Sequence, residues 1–452
     1  MEIFIPLFLF KPSGRFQPRG AKGLKPITVS IDGSRSQVIS FNLLLISFLA
    51  IYFLELIFSL WLERINRRHL KTQGASVPIL FEGFIDRQKL SRIVTYTQEN
   101  SRFGSFQQIF SDLILLVILL SGFLPLVDAL ARHWGLSFIL SGLFFWLVPG
   151  CITSLLDLPF DYYHTFRIEG KYGFNKATLK TWVTDQLKGA ALSLVLFAVI
   201  LSLILWMIRL SPNHWWLWGF LILTLFQLLM AVLYPVLIAP IFNKFEPLQD
   251  QELADKISRL MQEAGIHIKG LFQMDAGKRS RHTNAYFTGL GKTKRIVLFD
   301  TLIQSHPQEE ILAVLAHEVG HFKGRHIWKQ FFLFAWSMLA AFYLFYLLMD
   351  WPLLYLTFGF QDSPAYVGLF LIGILGQKAG FFLSPLYMAL SRRFERQADR
   401  FALKLLKSPS TLVTVLKRLA ADNLSNLFPH PLYVRFHYSH PPLMERINSL
   451  EA

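Results

Sequence analysis

Seven long apolar stretches constrain the fold of this chain more than any other feature of its sequence. A helix that crosses the hydrocarbon core of a bilayer needs about 20 predominantly apolar residues. We therefore predict seven membrane-spanning helices, at residues 41–62, 108–130, 137–157, 189–209, 215–240, 327–349 and 367–390. The composition excludes an ordinary soluble domain, because only 17% of the 452 residues are charged, whereas about a quarter are charged in soluble domains.

The distribution of Lys and Arg predicts how these spans are oriented. Connections between spans alternate between rich and poor in these residues, and cytosolic connections carry the excess. The rich connections hold 8, 5, 12 and 10 Lys and Arg residues, in the order 63–105, 158–188, 243–326 and 391–452. We place them in the cytosol, which puts the N-terminus on the opposite side. The extension 1–40 carries 6 Lys and Arg and conflicts with this rule. We expect it to be flexible.

The net charge of +15 and the single cysteine also bear on which kinds of site the chain can have. The positive charge does not indicate a nucleic-acid partner, because the chain has no nucleic-acid recognition module. Cys151 excludes an internal disulfide framework and a cysteine-based zinc cluster. It lies in an apolar run, where cysteine acts as a small hydrophobic residue.

One helix in the polar segment 243–326 carries a pattern typical of metal sites. It is predicted from Pro307 to about Lys323 and contains His317-Glu318-Val319-Gly320-His321. Histidines at positions i and i+4 lie on one face of a helix, so both imidazoles can bind one Zn²⁺ at about 2.1 Å. The intervening Glu318 is then placed to take a proton from the metal-bound water.

A catalytic zinc site needs a third protein ligand and leaves one position open. His326 is only five residues beyond His321 and lies near the start of the sixth span. Glu395 fits better, because it follows the seventh span, and two antiparallel spans bring their cytosolic ends to the same membrane face. Asp399, one turn further, is placed to hydrogen-bond the outer nitrogen of a ligand histidine. The alternative for this acidic pair is a solvated helix face.

Several further motifs point to a known family. The chain contains the metal motif and Glu395-x-x-x-Asp399, and also Leu158-Pro159-Phe160-x-Tyr162-Tyr163, Gly173-Phe174-Asn175-Lys176, Thr283-Asn284-Ala285-Tyr286-Phe287, Ser439-His440-Pro441-Pro442 and Glu445-Arg446-Ile447. From about residue 40 onward their order and spacing resemble the CAAX prenyl protease 1 family of seven-span, gluzincin-type zinc endopeptidases. The resemblance implies a mainly α fold, in which seven transmembrane helices enclose a large intramembrane chamber. A small α+β zinc protease domain would lie on the cytosolic side.

The resemblance also implies a role for each candidate site residue. The roles are zinc ligands for His317, His321 and Glu395, the general base for Glu318, the oxyanion donor for His440, a contact to the substrate backbone for Asn284, and support of the site or the substrate for Arg446. One Zn²⁺ per chain is expected.

The residues before the metal helix independently predict a β-hairpin. Thr283–Thr288 and Arg295–Phe299 have strand patterns, and Gly289-Leu290-Gly291 has the composition of a turn. A peptide can add as a strand to such an edge, although a purely structural hairpin is the alternative. His440 precedes two prolines, which restrict its backbone and suit a rigid hydrogen-bond donor.

These inferences divide the chain into five segments. They are a flexible N-terminal extension (1–40), a five-span membrane region (41–240), a soluble protease segment with the metal helix (241–326), the last two spans (327–390) and a C-terminal segment with the third zinc ligand (391–452). We expect a monomeric multi-pass protein of the bacterial inner membrane or the endoplasmic reticulum membrane, with its active site facing the cytosol.

The predicted function is that of a membrane-embedded zinc metalloendopeptidase. Its substrates would be membrane-associated peptides or prenylated proteins, cleaved near a C-terminal CAAX sequence, and its other partner would be the lipid bilayer. One alternative is a broad-specificity quality-control protease. The other is a non-enzymatic seven-span transporter or receptor, for which Lys378, Glu55 and Asp112 would mark a pathway through the spans.

Overall fold

The computed structural model describes residues 39–288 and 294–451. The predicted N-terminal extension lies outside these ranges apart from its last two residues, and the predicted hairpin turn at 289–291 lies outside them entirely. Within the described ranges the chain is mainly helical with one small sheet, which confirms the predicted fold class.

The described residues form eighteen α-helices and four strands. The helices are α1 (Leu43–Gln73), α2 (Arg87–Leu120), α3 (Phe123–His133), α4 (Phe138–Tyr163), α5 (Gly170–Tyr172), α6 (Leu179–Leu210), α7 (Trp215–Leu233), α8 (Ala239–Phe242), α9 (Gln251–Glu263), α10 (Asp300–Ser305), α11 (Gln308–Lys323), α12 (His326–Met349), α13 (Pro352–Thr357), α14 (Ala365–Gly380), α15 (Ser384–Leu406), α16 (Pro409–Asp422), α17 (Pro431–His437) and α18 (Leu443–Glu451). The strands are β1 (Phe245–Pro247), β2 (Gly270–Met274), β3 (Ala285–Thr288) and β4 (Arg295–Phe299). Two π-helical segments, His164–Glu169 and Tyr234–Ile238, continue α4 and α7.

Among residues 39–288 and 294–451, seven helical segments are long and apolar enough to cross a membrane, which confirms the predicted number of spans. They are Leu43–Gln73, Arg87–Leu120, Phe138–Tyr172, Leu179–Leu210, Trp215–Phe242, His326–Met349 and Ala365–Leu406. Four of these spans begin after residues whose side chains accept a hydrogen bond from a backbone N–H of the first turn, namely Asn42, Asp86, Ser137 and Thr178. Such caps satisfy donors that have no partner within the helix.

Several helices extend beyond the predicted span boundaries, and the differences at the second and third spans have a backbone cause. The second span was expected to reach residue 130, but it ends at Leu120, and a separate helix α3 follows. Gly122 between them has a φ of 79°, a left-handed conformation that glycine adopts readily and that ends a helix. Conversely, the third span was expected to end at residue 157, but α4 runs through Pro159 and continues as the π-helix to Glu169.

The spans bury little of their apolar surface against one another. In each described span, at most 33% of the most apolar 18-residue stretch is buried within the protein. In Trp215–Phe242 none of that stretch is buried. Helices that surround an open interior keep both their inner and outer sides uncovered, whereas a solid bundle buries one face of each helix. This low burial agrees with the ring-like arrangement that the resemblance implies.

Three charged residues within the spans pair with one another. The Nζ atom of Lys378 lies 2.8 Å from Oε2 of Glu55 and 2.5 Å from Oδ1 of Asp112. The hydroxyl of Tyr52 donates to the same Asp112 oxygen at 2.9 Å. These contacts join the first, second and seventh spans, so the three charges have a structural explanation that needs no transport pathway.

The sheet lies in the polar segment between the fifth and sixth spans, and its strand order is β1-β2-β4-β3. The predicted hairpin is present: β3 pairs antiparallel with β4, with Ala285 opposite Leu298 and Thr288 opposite Arg295. The pairing of β2 with β4 is parallel. Because β4 covers only one side of β3, the other side of β3 is a sheet edge.

Candidate metal centre

The metal motif lies on α11, which begins after Pro307 and ends at Gly324, as predicted. Glu309 and Glu310 lie in its first turn, where negative charge stabilises the positive end of the helix dipole. Its apolar face packs into the core of the cytosol-assigned region. The two motif histidines are therefore held on a helix that is anchored along its length.

Gly320 of the motif allows α11 to approach α15 very closely. A Cβ atom on Gly320 would lie 2.7 Å from the Cα and 2.8 Å from the carbonyl oxygen of Ala398. These are backbone atoms of α15, the helix that carries Glu395 and Asp399. Glycine is required here because nothing larger fits between the two backbones.

This close packing brings three potential metal ligands together. The Nε2 atoms of His317 and His321 lie 3.2 Å apart. The carboxylate oxygens of Glu395 lie 3.3 Å from Nε2 of His317 and 3.2 Å from Nε2 of His321. Ligand atoms placed tetrahedrally at about 2.0–2.1 Å from one Zn²⁺ are about 3.3–3.4 Å apart, so the spacing fits zinc.

The chemistry of these groups also fits a bound cation. Glu395 is buried, and its Oε2 atom has no hydrogen-bond partner in the described structure. A buried carboxylate oxygen without a donor is costly, and a cation shared with two imidazoles would compensate it. Two histidines and a glutamate form one of the known ligand sets of catalytic zinc.

Asp399 contacts the side of the His317 ring that faces away from the ligand triangle, and Arg446 pairs with Asp399. The Nδ1 atom of His317 lies 2.8 Å from Oδ1 of Asp399. The guanidinium of Arg446 donates to both oxygens of Asp399, at 2.6 and 2.9 Å. Burial lowers the pKa of His317, but the carboxylates of Asp399 and Glu395 beside its ring outweigh burial and raise the pKa to about 9. The surroundings of this imidazole therefore favour a positive charge, either a proton or a metal ion.

His321 has a different neighbour, which the sequence alone did not assign. Its Nδ1 atom lies 3.1 Å from Nδ1 of His326, the residue that begins α12. The other nitrogen of His326 lies 2.9 Å from Oε1 of Gln397, and its ring stacks on Phe394. His326 is thus on the far side of His321 from the ligand triangle, which agrees with its rejection as the third ligand.

Glu318 follows His317 on α11, and His440 lies beside Glu395. Burial raises the pKa of Glu318, which makes its carboxylate a stronger base. The Nε2 atom of His440 lies 3.3 Å from Oε1 of Glu395, and 60% of its side chain is exposed. Its Nδ1 atom faces the hydroxyl of Ser439 at 2.9 Å, so Nε2 is the nitrogen directed at the site.

Arg392 holds the segment that carries His440, a role that its sequence context did not suggest. This buried side chain lies on α15, one turn before Glu395. It donates to the carbonyl oxygens of Val434 at 2.9 Å and Tyr438 at 2.7 Å. The helix that carries Glu395 therefore also positions the His440 segment.

Asn284 lies at the entrance to the edge strand β3, which packs against α11. It is exposed, its side-chain oxygen accepts from the backbone N–H of Ala285 at 2.8 Å, and its carbonyl accepts from Phe299 at 3.0 Å. Within the described residues the amide nitrogen of its side chain makes no hydrogen bond, so it is available to a partner on the open edge.

Replacing Asp399 by Asn is expected to weaken metal binding by about 10- to 100-fold, because a ligand histidine loses its charged hydrogen-bond partner. The affinity can be measured by competition with a chromophoric zinc chelator. Asp422→Asn is the matched control, since the side-chain contact of Asp422 with Lys89, at 3.5 Å, is partly exposed. An unchanged affinity in Asp399→Asn would show that Asp399 does not support the metal site.

The fold and this site together define an integral, multi-pass membrane metalloprotease. Residues 66–244 match the family described as CAAX prenyl protease N-terminal, five membrane helices, and residues 247–452 match Peptidase family M48. The chain belongs to the CAAX prenyl protease 1 family.

Curated relatives and a solved structure are similar over nearly their whole length. The CAAX prenyl protease 1 homolog of Oryza sativa subsp. japonica is 36% identical, over 87% of this chain and 94% of the relative. The CAAX prenyl protease 1 of Saccharomyces cerevisiae is 33% identical, over 85% of this chain and 90% of the relative. The crystal structure of S. mikatae Ste24p matches with a TM-score of 0.84 and 33% identity, over 90% of this chain and 98% of that chain.

Proposed function

We propose that this protein is a zinc endopeptidase that cleaves near the C-terminus of membrane-associated proteins with a CAAX sequence, which are prenylated. The observation that carries the proposal is the triangle of His317, His321 and Glu395, with ligand atoms 3.2–3.3 Å apart, beside a strand with an open edge. The rice and yeast relatives, both named as CAAX prenyl proteases, support the substrate class.

The proposed roles follow from the geometry of the site. His317, His321 and Glu395 would hold one Zn²⁺, which polarises the scissile carbonyl and lowers the pKa of a water when bound. Glu318 takes a proton from the attacking water and delivers it to the leaving amine. His440 donates from Nε2 to the developing oxyanion.

Three other residues would orient the reactants. Asp399 holds the ring of His317 in the rotation that directs Nε2 to the triangle, and Arg446 neutralises Asp399. The edge of β3 binds the peptide as an added strand, with Asn284 contacting its backbone. Strand addition uses backbone hydrogen bonds, so it makes little demand on the substrate side chains.

The proposed topology puts this site on the cytosolic face. The metal helix is followed at once by the sixth span, and Glu395 lies on the helix that continues the seventh span. We propose a five-span region at 41–240, a protease segment at 241–326, two further spans at 327–390 and a ligand-bearing segment at 391–452. The protein would act as a monomer in a bacterial inner membrane or the endoplasmic reticulum membrane.

An assay with purified protein tests this function directly. We expect cleavage of a farnesylated CAAX peptide, slower cleavage of the same peptide without the farnesyl group, loss of both after chelation, and recovery with one equivalent of Zn²⁺. Equal rates on the two peptides would instead indicate a broad-specificity membrane protease. Full activity in metal-free protein, verified by elemental analysis, would contradict the zinc mechanism.

A further inference from the structure

The motif Gly173–Lys176 lies far from the ligand triangle in sequence, but it contacts the segment that leads into β3. The backbone N–H of Lys176 donates to the carbonyl of Arg279 at 3.0 Å, and the N–H of Arg281 donates to the carbonyl of Phe174 at 3.0 Å. The cytosol-assigned end of the third span and the segment before β3 therefore run side by side.

Glu169, the last residue of the π-helix at this end, makes a side-chain contact across the same boundary. Its Oε1 atom accepts from the hydroxyl of Tyr96 at 2.6 Å, and its Oε2 atom lies 3.3 Å from Nε2 of His282. π-Helical turns within longer helices often occur at functional sites. Here the irregular turn places a half-buried carboxylate against the segment that leads into β3.

His282 is held from several sides. Its Nδ1 atom lies 2.8 Å from the side-chain oxygen of Asn423 at the end of α16, and its ring stacks on Phe174 with centroids 4.2 Å apart. Its carbonyl accepts from the hydroxyl of Thr301 at 2.9 Å. The hydrogen bond with Glu169 raises the pKa of His282 more than burial lowers it. Both ring nitrogens face acceptor oxygens, an arrangement that favours the imidazole with a proton on each nitrogen.

His282 lies immediately before the strand that is open to a peptide. Asn284 is two residues further along the chain, and β3 begins at Ala285. An edge strand has a neighbour on one side only, so its register toward an added peptide depends on β4 and on how its first residue is held. The Glu169–His282 contact holds that first part of the strand against the third span.

We propose that Glu169 and His282 are positioning residues that keep β3 in register for the peptide backbone, so that the third span sets the strength of peptide binding. This rests on the proposed function, in which the peptide adds to β3 as a strand. Neither residue touches the ligand triangle in the described structure, so the effect should be on binding of the peptide more than on the chemical step.

The test compares Glu169→Gln, Glu169→Ala and His282→Ala with the unchanged protein, at equal bound zinc. We expect KM for the farnesylated peptide to rise about tenfold in both alanine variants, as for loss of a charge-assisted hydrogen bond, and less in Glu169→Gln, which retains an acceptor. The kcat value should change little. Glu99→Gln is the matched control, because Glu99 pairs with Lys171 and Tyr172 nearby but not with His282.

A second set of peptides, each N-methylated at one backbone position, separates positioning from simple loss of folded protein. N-methylation removes one backbone donor, so the unchanged protein should show a large penalty at the positions that pair with β3. That penalty should shrink in the alanine variants. An undiminished penalty, or an unchanged KM, would overturn the inference. Failure of the proposed function would appear in the unchanged protein, which would cleave none of the peptides, and the inference would then fall with it.

Discussion

Replacing Glu318 by Gln is expected to lower kcat by about a thousandfold while the protein keeps its metal. Glu318 directly follows His317 in the motif, and burial raises the pKa of its carboxyl group, so its carboxylate is a stronger base than an exposed one. Glutamine has the same shape but cannot accept this proton, and general-base catalysis contributes about 10²- to 10⁴-fold. The measurement is kcat on the farnesylated peptide, together with zinc content by elemental analysis.

Glu309→Gln on the same helix is the control for this prediction. Glu309 is exposed and lies 3.5 Å from Lys256, a surface contact that contributes little, so its replacement should leave kcat and zinc content unchanged. Cleavage at the usual rate by zinc-loaded Glu318→Gln would refute the assignment of Glu318 as the base. Loss of zinc in that variant would show that Glu318 maintains the site instead.

Replacing Gly320 by Ala is expected to lower the affinity for zinc and the kcat value, each by about a hundredfold. The new Cβ atom would lie 2.7–2.8 Å from backbone atoms of Ala398, and a backbone cannot move aside as a flexible side chain can. The helix α15 must therefore shift away from α11, and it carries Glu395 one turn from Ala398. A ligand displaced by about 1 Å is enough to cost roughly 10²-fold in rate.

Gly376→Ala provides a matched control. Gly376 lies on α14, which belongs to the same span as α15. A Cβ atom at Gly376 meets nothing within 4 Å, so this variant should keep its zinc and its activity, and should gain up to about 1 kcal/mol in free energy of unfolding from the higher helix propensity of alanine. If Gly320→Ala behaved like Gly376→Ala, the close contact between α11 and α15 would not be what brings the ligands together.

The sequence was most informative where local rules apply. The number of spans follows from the length of apolar stretches, since a bilayer requires about 20 such residues. The helix with His317 and His321 follows from the i, i+4 spacing, and the β3–β4 hairpin follows from strand patterns on either side of a glycine-rich turn. Each of these depends on residues within about one element of each other.

The sequence was less informative where a boundary depends on backbone conformation. The break at Gly122 was missed because a glycine within an apolar run also occurs inside spans, and only its φ of 79° ends the helix. The run through Pro159 was missed because a proline usually breaks a helix, whereas here the helix continues as a π-helix to Glu169. The parallel partner β2 had no local turn signal to reveal it.

By itself, the sequence determined that this is a seven-span protein with two histidines on one helical face, because both features depend on short-range periodicity and on apolar length. It also indicated Glu395, through the antiparallel order of the last two spans. Only the tertiary structure decided that Glu395 comes within 3.3 Å of both histidines, and it did so through the contact of Gly320 with Ala398. Distances between residues far apart in the chain depend on how helices pack, and packing depends on side-chain volumes that no local pattern encodes.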